Sequence, residues 1–131
     1  MLETGIKGHK ELTVTMEKTA KALGSGGLEV FATPALIAMA ERTARESVAP
    51  ELGEGQSTVG IRVEISHLSA TPVGLEVFCD TELVEIDRRR LVFRVEVHDK
   101  FGKIAEGMHE RFIIDDEKFL AKAYEKVGGK S

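Results

Sequence analysis

Between Thr33 and Val48 the apolar positions recur at helical spacing. Set at 100° intervals, Leu36, Ile37, Ala40, Ala44, Ser47 and Val48 form one continuous face, with Arg42, Arg45 and Glu46 opposite. Thr33 suits the N-cap, where its hydroxyl can accept from an orphan backbone N–H. Pro34 suits the first helical position, which needs no donor. The helix is expected to stop before Pro50, and its alanines let it approach another surface closely. Glu41 falls at the border of the apolar arc, beside Ile37 and Val48.

After "ELGEGQ" the period changes to two. One face of "TVGIRVEISH" carries Val59, Ile61, Val63, Ile65 and His67. Residues 74–86 align Leu75, Val77, Cys79 and Leu83, and "LVFRVEVHD" aligns Leu91, Phe93, Val95 and Val97. Residues 103–114 align Ile104, Met108, Phe112 and Ile114. The links "LSATPV", "DRRR" and "DKFG" are short, which predicts an antiparallel meander. Upstream, "ELTVTM" reads as a short strand with Leu12, Val14 and Met16 on one face, and "EKTAKALGSGG" as a short helix stopped by Gly24. The tail "EKFLAKAYEKV" is helical, and residues 1–9 and 128–131 are expected to be loose.

One long helix beside strands that each have one apolar face predicts an α+β fold: a curved antiparallel β-sheet wrapped around a central long α-helix. Strands of roughly 10 residues exceed the usual ~5–6, so the sheet should curl. An open sheet leaves an edge strand that invites a partner, and a homodimer with a continuous sheet is expected.

Composition narrows the functional classes. The 131 residues suit one domain. A net charge of -4 argues against a general nucleic-acid binder. No run approaches the ~18 apolar residues of a membrane span, and no signal-peptide core opens the chain. Cys79 is the only cysteine, so an intramolecular disulfide and a cysteine metal cluster are excluded and a cytoplasmic setting is expected. No phosphate loop, G-x-S-x-G elbow or H-E-x-x-H motif is present, and the scattered histidines make no defensible metal site.

Each residue with chemical potential has a plain reading beside a functional one. Thr33 is either only a cap or a hydroxyl where the helix dipole favours developing negative charge. Glu41 is either a border residue paired with Arg45 at i+4, for which Glu41→Leu would be neutral or stabilising, or a carboxylate held in a partly apolar wall. His67 shares the parity of the core-facing valines and precedes a bend. His98 is expected to be solvated. His109 and Arg111 share a face, and a strand-borne arginine is usually a surface residue but can bind a carboxylate or phosphate.

Taken together, "VFATPALIAMAE", "VGIRVEISHLSATPVG" and "HERFII" resemble the fluoroacetyl-CoA thioesterase family and its relatives in the hotdog superfamily, over roughly residues 29–120. The family pattern has a Thr at the start of the central helix, a Glu eight residues later and a His in an "H-x-x-A-x-P-x-G"-like segment. These fall on Thr33, Glu41 and His67, the last followed by Ala70, Pro72 and Gly74. Gly60 matches a glycine whose backbone lies near the acyl group, and Arg111 the arginine of the "HER" element.

The resemblance implies a hotdog fold, a dimer and hydrolysis of an acyl-CoA thioester. Thr33, Glu41 and His67 would be catalytic, and Gly60, Arg111 and Pro34 would bind substrate. Coenzyme A would arrive as part of the substrate, with no separate cofactor and no metal. Either Glu41 or Thr33 could be the nucleophile. The family is associated with a phenylalanine-bearing lid just before the central helix. Here that region is "LGSGGLEV", with no Phe before Phe31, so a short acyl group favoured only weakly is expected. A non-catalytic hotdog module that binds an acyl or CoA-like ligand is the alternative, but it has no need of all three catalytic residues.

Overall fold

A computed structural model describes residues 1–128. Strand β1 is Lys7–Thr13, helix α1 Ala20–Leu23 and helix α2 Thr33–Val48. Strands β2 (Gln56–His67), β3 (Glu76–Asp87), β4 (Arg90–Asp99) and β5 (Gly102–Asp115) follow, then helix α3 (Asp116–Tyr124). The five strands form one antiparallel sheet in the order β1-β3-β4-β5-β2, with β1 and β2 at its edges. The sheet packs on α2, as the pattern predicts.

Strand β1 corrects the expectation that residues 1–9 are loose. It starts at Lys7 and pairs with β3 from Lys7↔Glu82 to Thr13↔Glu76. Its sequence is polar because it is an edge strand with no fully buried residue. Gly8 lets it pass under α2, since a Cβ there would lie 2.8 Å from the Thr43 carbonyl oxygen and 2.6 Å from Thr81 Oγ1. The tail expectation falls mostly on residues 129–131, outside the described ones.

Helix α2 buries Leu36, Met39, Ala40, Thr43, Ala44 and Val48. Ile37 and Ser47 are only half-buried, so the buried stripe is rotated slightly toward Met39 and Thr43. One end of the core gathers Phe31, Leu36 and Met39 against Val77, Val95 and Val97. The other packs Ala44 and Val48 against Leu83, Leu91 and Phe93. Burying each such side chain stabilises the fold by about 1.5–3 kcal/mol of transfer free energy.

Two β-bulges decide what faces α2. In β2, Gly60 pairs with Arg111 and Arg62 with Glu110, leaving Ile61 unpaired. In β5, Lys103 pairs with His98 and Ala105 with Val97, leaving Ile104 unpaired. Each extra residue reverses the alternation. In β2 the inward set is therefore Thr58 and Gly60 before the bulge, then Val63, Ile65 and His67 after it. In β5, Ile104 and Ala105 are both buried, and the inward set continues through His109, Arg111 and Ile113. Met108, Phe112 and Ile114, expected on the inner face, lie on the other one.

Candidate active site

The start of α2 builds the first cluster. Ala32, not Thr33, occupies the N-cap, and Thr33 and Pro34 fill the first two helical positions. This corrects the expected capping role of Thr33. Its hydroxyl lies instead 2.8 Å from His67 Nδ1, at the end of β2. Thr33 and Pro34 are exposed and His67 is half-buried. Thr33 and His67, but not Pro34, line a cleft of ≈ 300 Å³ that also includes Phe31, Leu68, Ser69 and Ala70. Burial lowers the pKa of His67 from the ordinary histidine value, opposed in part by the Ser69 backbone. The imidazole is therefore neutral near pH 7 and able to take a proton from Thr33. Its Nε2 atom is buried and has no hydrogen-bond partner among the described residues. Such an orphan needs an explanation.

The second cluster surrounds Glu41, two helical turns along α2. Glu41 Oε2 lies 3.7 Å from Arg111 Nη1, and the Glu41 side chain is 42% exposed. Its partner is thus Arg111, not the expected Arg45, which lies instead beside Glu46. Arg111 is only 5% exposed. It donates from Nε to Thr58 Oγ1 at 2.7 Å, from Nη2 to the Thr58 carbonyl at 2.8 Å, and from Nη1 to His109 Nε2 at 3.2 Å. Gly60 sits where these groups converge. A Cβ there would be 2.5 Å from Glu41 Oε2, 3.3 Å from His109 Cε1 and 3.4 Å from Arg111 Nη1. The buried guanidinium has three of its donor directions taken within the chain and lies beside the Glu41 carboxylate.

The two clusters are separate within one chain. Eight residues of helix rise about 12 Å, and the Glu41 carboxylate is turned toward Gly60 and Arg111. Thr33 and His67 meet directly, and Glu41, Gly60 and Arg111 meet directly, but the two sets do not meet each other. The sequence assigns no catalytic role to His109. The signal available was its shared strand face with Arg111. Among the described residues, no group of three or more His, Cys, Asp or Glu side chains could hold a metal ion. No helix among them is long and apolar enough to cross a membrane.

A five-stranded antiparallel sheet around one long helix is the architecture of hotdog-fold thioesterases. The family model for fluoroacetyl-CoA-specific thioesterases matches residues 14–117. The fluoroacetyl-CoA thioesterase of Streptantibioticus cattleyicolor is 40% identical over 99 residues, which are 76% of this chain and 71% of that protein. A solved threonine-to-alanine variant of a fluoroacetyl-CoA thioesterase, in complex with fluoroacetate, superposes with a TM-score of 0.89 at 33% identity, covering 95% of this chain and 98% of that one. A Thermus thermophilus member of the thioesterase superfamily superposes at 0.90 with 26% identity, covering 98% and 95%. The chain belongs to the fluoroacetyl-CoA-specific thioesterase family.

Proposed function

We propose that this acyl-CoA thioesterase works as a homodimer in which each site combines Thr33 and His67 of one chain with Glu41 of the partner subunit. The observation that carries this reading is the separation of the two clusters along α2. Two further features support it. The β2 edge is open and bears Ile61 at 51% exposure and Val63 at 40%. His67 Nε2 also lacks an acceptor, and a carboxylate from a second copy would supply one.

Thr33 Oγ1 attacks the thioester carbonyl carbon as His67 Nδ1 takes its proton. The amides at the start of α2 favour the oxyanion that develops. Collapse breaks the C–S bond, and the proton held by His67 passes to the departing sulfur, so coenzyme A leaves as the thiol and the imidazole is neutral again. A thiol pKa near ~8.5 makes this a good leaving group without a strong acid. Water, deprotonated by His67, then cleaves the acyl ester and restores Thr33. Glu41 orients the imidazole through Nε2–H and balances its charge when protonated. The steps use groups of the protein, the substrate and water, so no cofactor or metal is invoked. Cys79 is no rival nucleophile: it is buried, and burial pushes its thiol up to about 11. A reduced, inert thiol also accords with a cytoplasmic location.

The approach to the cleft carries Ser25, Gly26, Gly27 and Leu28, the last 71% exposed, and no aromatic lid. The substrate is therefore a small acyl-CoA, with little preference for the fluorinated acyl group. Thiol release from acetyl-, fluoroacetyl-, propionyl-, butyryl- and benzoyl-CoA tests this. Turnover of the short chains with less than about a tenfold preference for fluoroacetyl over acetyl is expected. No turnover of any of them would sink the reading. Acid-quench mass spectrometry tests the nucleophile, with the acyl adduct expected on Thr33. An adduct on Glu41 would assign the attack to that carboxylate instead.

A further inference from the structure

His109 is fully buried, polar, and unused by the reaction steps above. Its Nδ1 lies 2.8 Å from the Arg62 carbonyl oxygen. A carbonyl only accepts, so Nδ1 carries the proton and Nε2 keeps its lone pair. That lone pair faces Arg111 Nη1 at 3.2 Å. The ring also stacks against Phe93, with centroids 6.4 Å apart. Arg62 immediately follows the bulge at Ile61, so the same imidazole ties the bulge to the guanidinium.

We propose that His109 is a positioning residue for the hydrolysis: it accepts one Nη1 proton of Arg111 and so aims the remaining Nη1–H at the Glu41 carboxylate. This rests on the reading of Glu41 as a catalytic carboxylate. The geometry leaves Arg111 little freedom. Nε and Nη2 are held by Thr58, and one Nη1 proton is held by His109. The guanidinium plane is then fixed, and its last inward direction is the one toward Glu41 Oε2, 3.7 Å away. Only the acceptor form of the ring can do this. An Nε2–H would oppose Arg111 Nη1 donor to donor, and the guanidinium would turn away from Glu41. Burial lowers the pKa of His109, with the neighbouring Arg111 charge acting in the same direction, so the acceptor form persists at neutral pH.

A double-mutant cycle separates positioning from bulk packing. His109→Leu removes the acceptor at similar volume, and His109→Gln keeps an acceptor oxygen within reach of Arg111. Each is combined with Glu41→Gln, and kcat and KM are read by thiol release. His109→Leu should lower kcat on the order of tenfold with KM changed less than about twofold. His109→Gln should recover most of that loss. In the Glu41→Gln background His109→Leu should cost nothing further. Equal losses for Leu and Gln, or a full His109→Leu loss in the Glu41→Gln background, would overturn the proposal. A Glu41→Gln enzyme with wild-type kcat would instead overturn the catalytic reading on which it rests. Should the leucine variant fail to fold, the wild-type protein still decides. Long-range ¹H–¹⁵N spectra should show His109 protonated on Nδ1 at neutral pH, and an Nε2–H tautomer would refute the assignment.

Discussion

Mixing two inactive variants tests the shared site directly. Thr33→Ala removes the attacking hydroxyl and Glu41→Ala the carboxylate about 12 Å away along the same helix. Each variant alone should lose on the order of 10²–10³ in kcat. When the two chains pair at random, about half of the dimers are mixed. One site of a mixed dimer carries both lesions and the other carries neither, so about a quarter of the wild-type activity should return. The pair Thr33→Ala with His67→Ala behaves differently. Those side chains meet within one chain at 2.8 Å, so every site in the mixed dimer is broken and nothing should return. The assay is thiol release after co-refolding, with differently tagged chains to quantify the mixed dimer. Recovery by Thr33→Ala with His67→Ala would refute the reasoning. So would no recovery by Thr33→Ala with Glu41→Ala once mixed dimers are shown to form.

Gly60→Ala should lower kcat on the order of tenfold to a hundredfold, because the new Cβ would stand 2.5 Å from Glu41 Oε2 and displace the carboxylate; a wild-type rate would show that the position of Glu41 is not set there. Glu41→Leu should destabilise by about 1 kcal/mol in urea unfolding. It removes the counter-charge of buried Arg111, but the exposed carboxylate and the Thr58 contacts keep the cost well below that of breaking a fully buried pair. A neutral or stabilising effect would support the border-residue reading. Burial within the chain lowers the pKa of His67 and the partner's Glu41 carboxylate opposes it, so the acid limb of kcat/KM should have a lower midpoint in Glu41→Gln than in the wild type; an unchanged midpoint would contradict this. Val63→Asp puts a carboxylate on the open β2 edge and should give a folded, inactive monomer by sedimentation, whereas an active dimer would exclude that edge as the interface.

Helix α2 was legible to within a residue, because its 3.6-residue period runs unbroken from Thr33 to a stop before Pro50. Strands β3 and β4 were legible for a similar reason: their inward residues Val77, Cys79 and Leu83, and Leu91, Phe93, Val95 and Val97, keep one parity within each strand, and the extra Val84 of β3 comes only after the last of these positions in that strand. The start of β1 was not legible, because a polar edge strand has no buried face to mark it, and pairing with β3 overrides composition. The role of Thr33 was half legible. Its place at the helix start follows from Pro34, but whether the hydroxyl turns to the backbone or to His67 depends on a strand 34 residues away.

The Glu41 cluster lay furthest from the sequence, and the cause is specific. Its members reach one face only because the two bulges reverse strand parity, in β2 after Gly60 and in β5 before Ala105. Read with unbroken alternation, His109 and Arg111 fall on the face opposite Ile104, and Gly60 on the face opposite Ile61 and His67. The residues that break the alternation are Ile61 and Ile104. Each is apolar and β-branched, so each reads as one more regular strand position. Hydropathy cannot mark a bulge made by such a residue, and the buried polar set then looks like surface. What marks it is the chemistry of the pairing: a glycine on β2 registered opposite an arginine on β5, with a carboxylate on the helix above them. A buried guanidinium needs a counter-charge and acceptors for its donors. Once Arg111 is placed inside, Thr58, His109 and Glu41 are the groups that satisfy it, and Gly60 is the space they require.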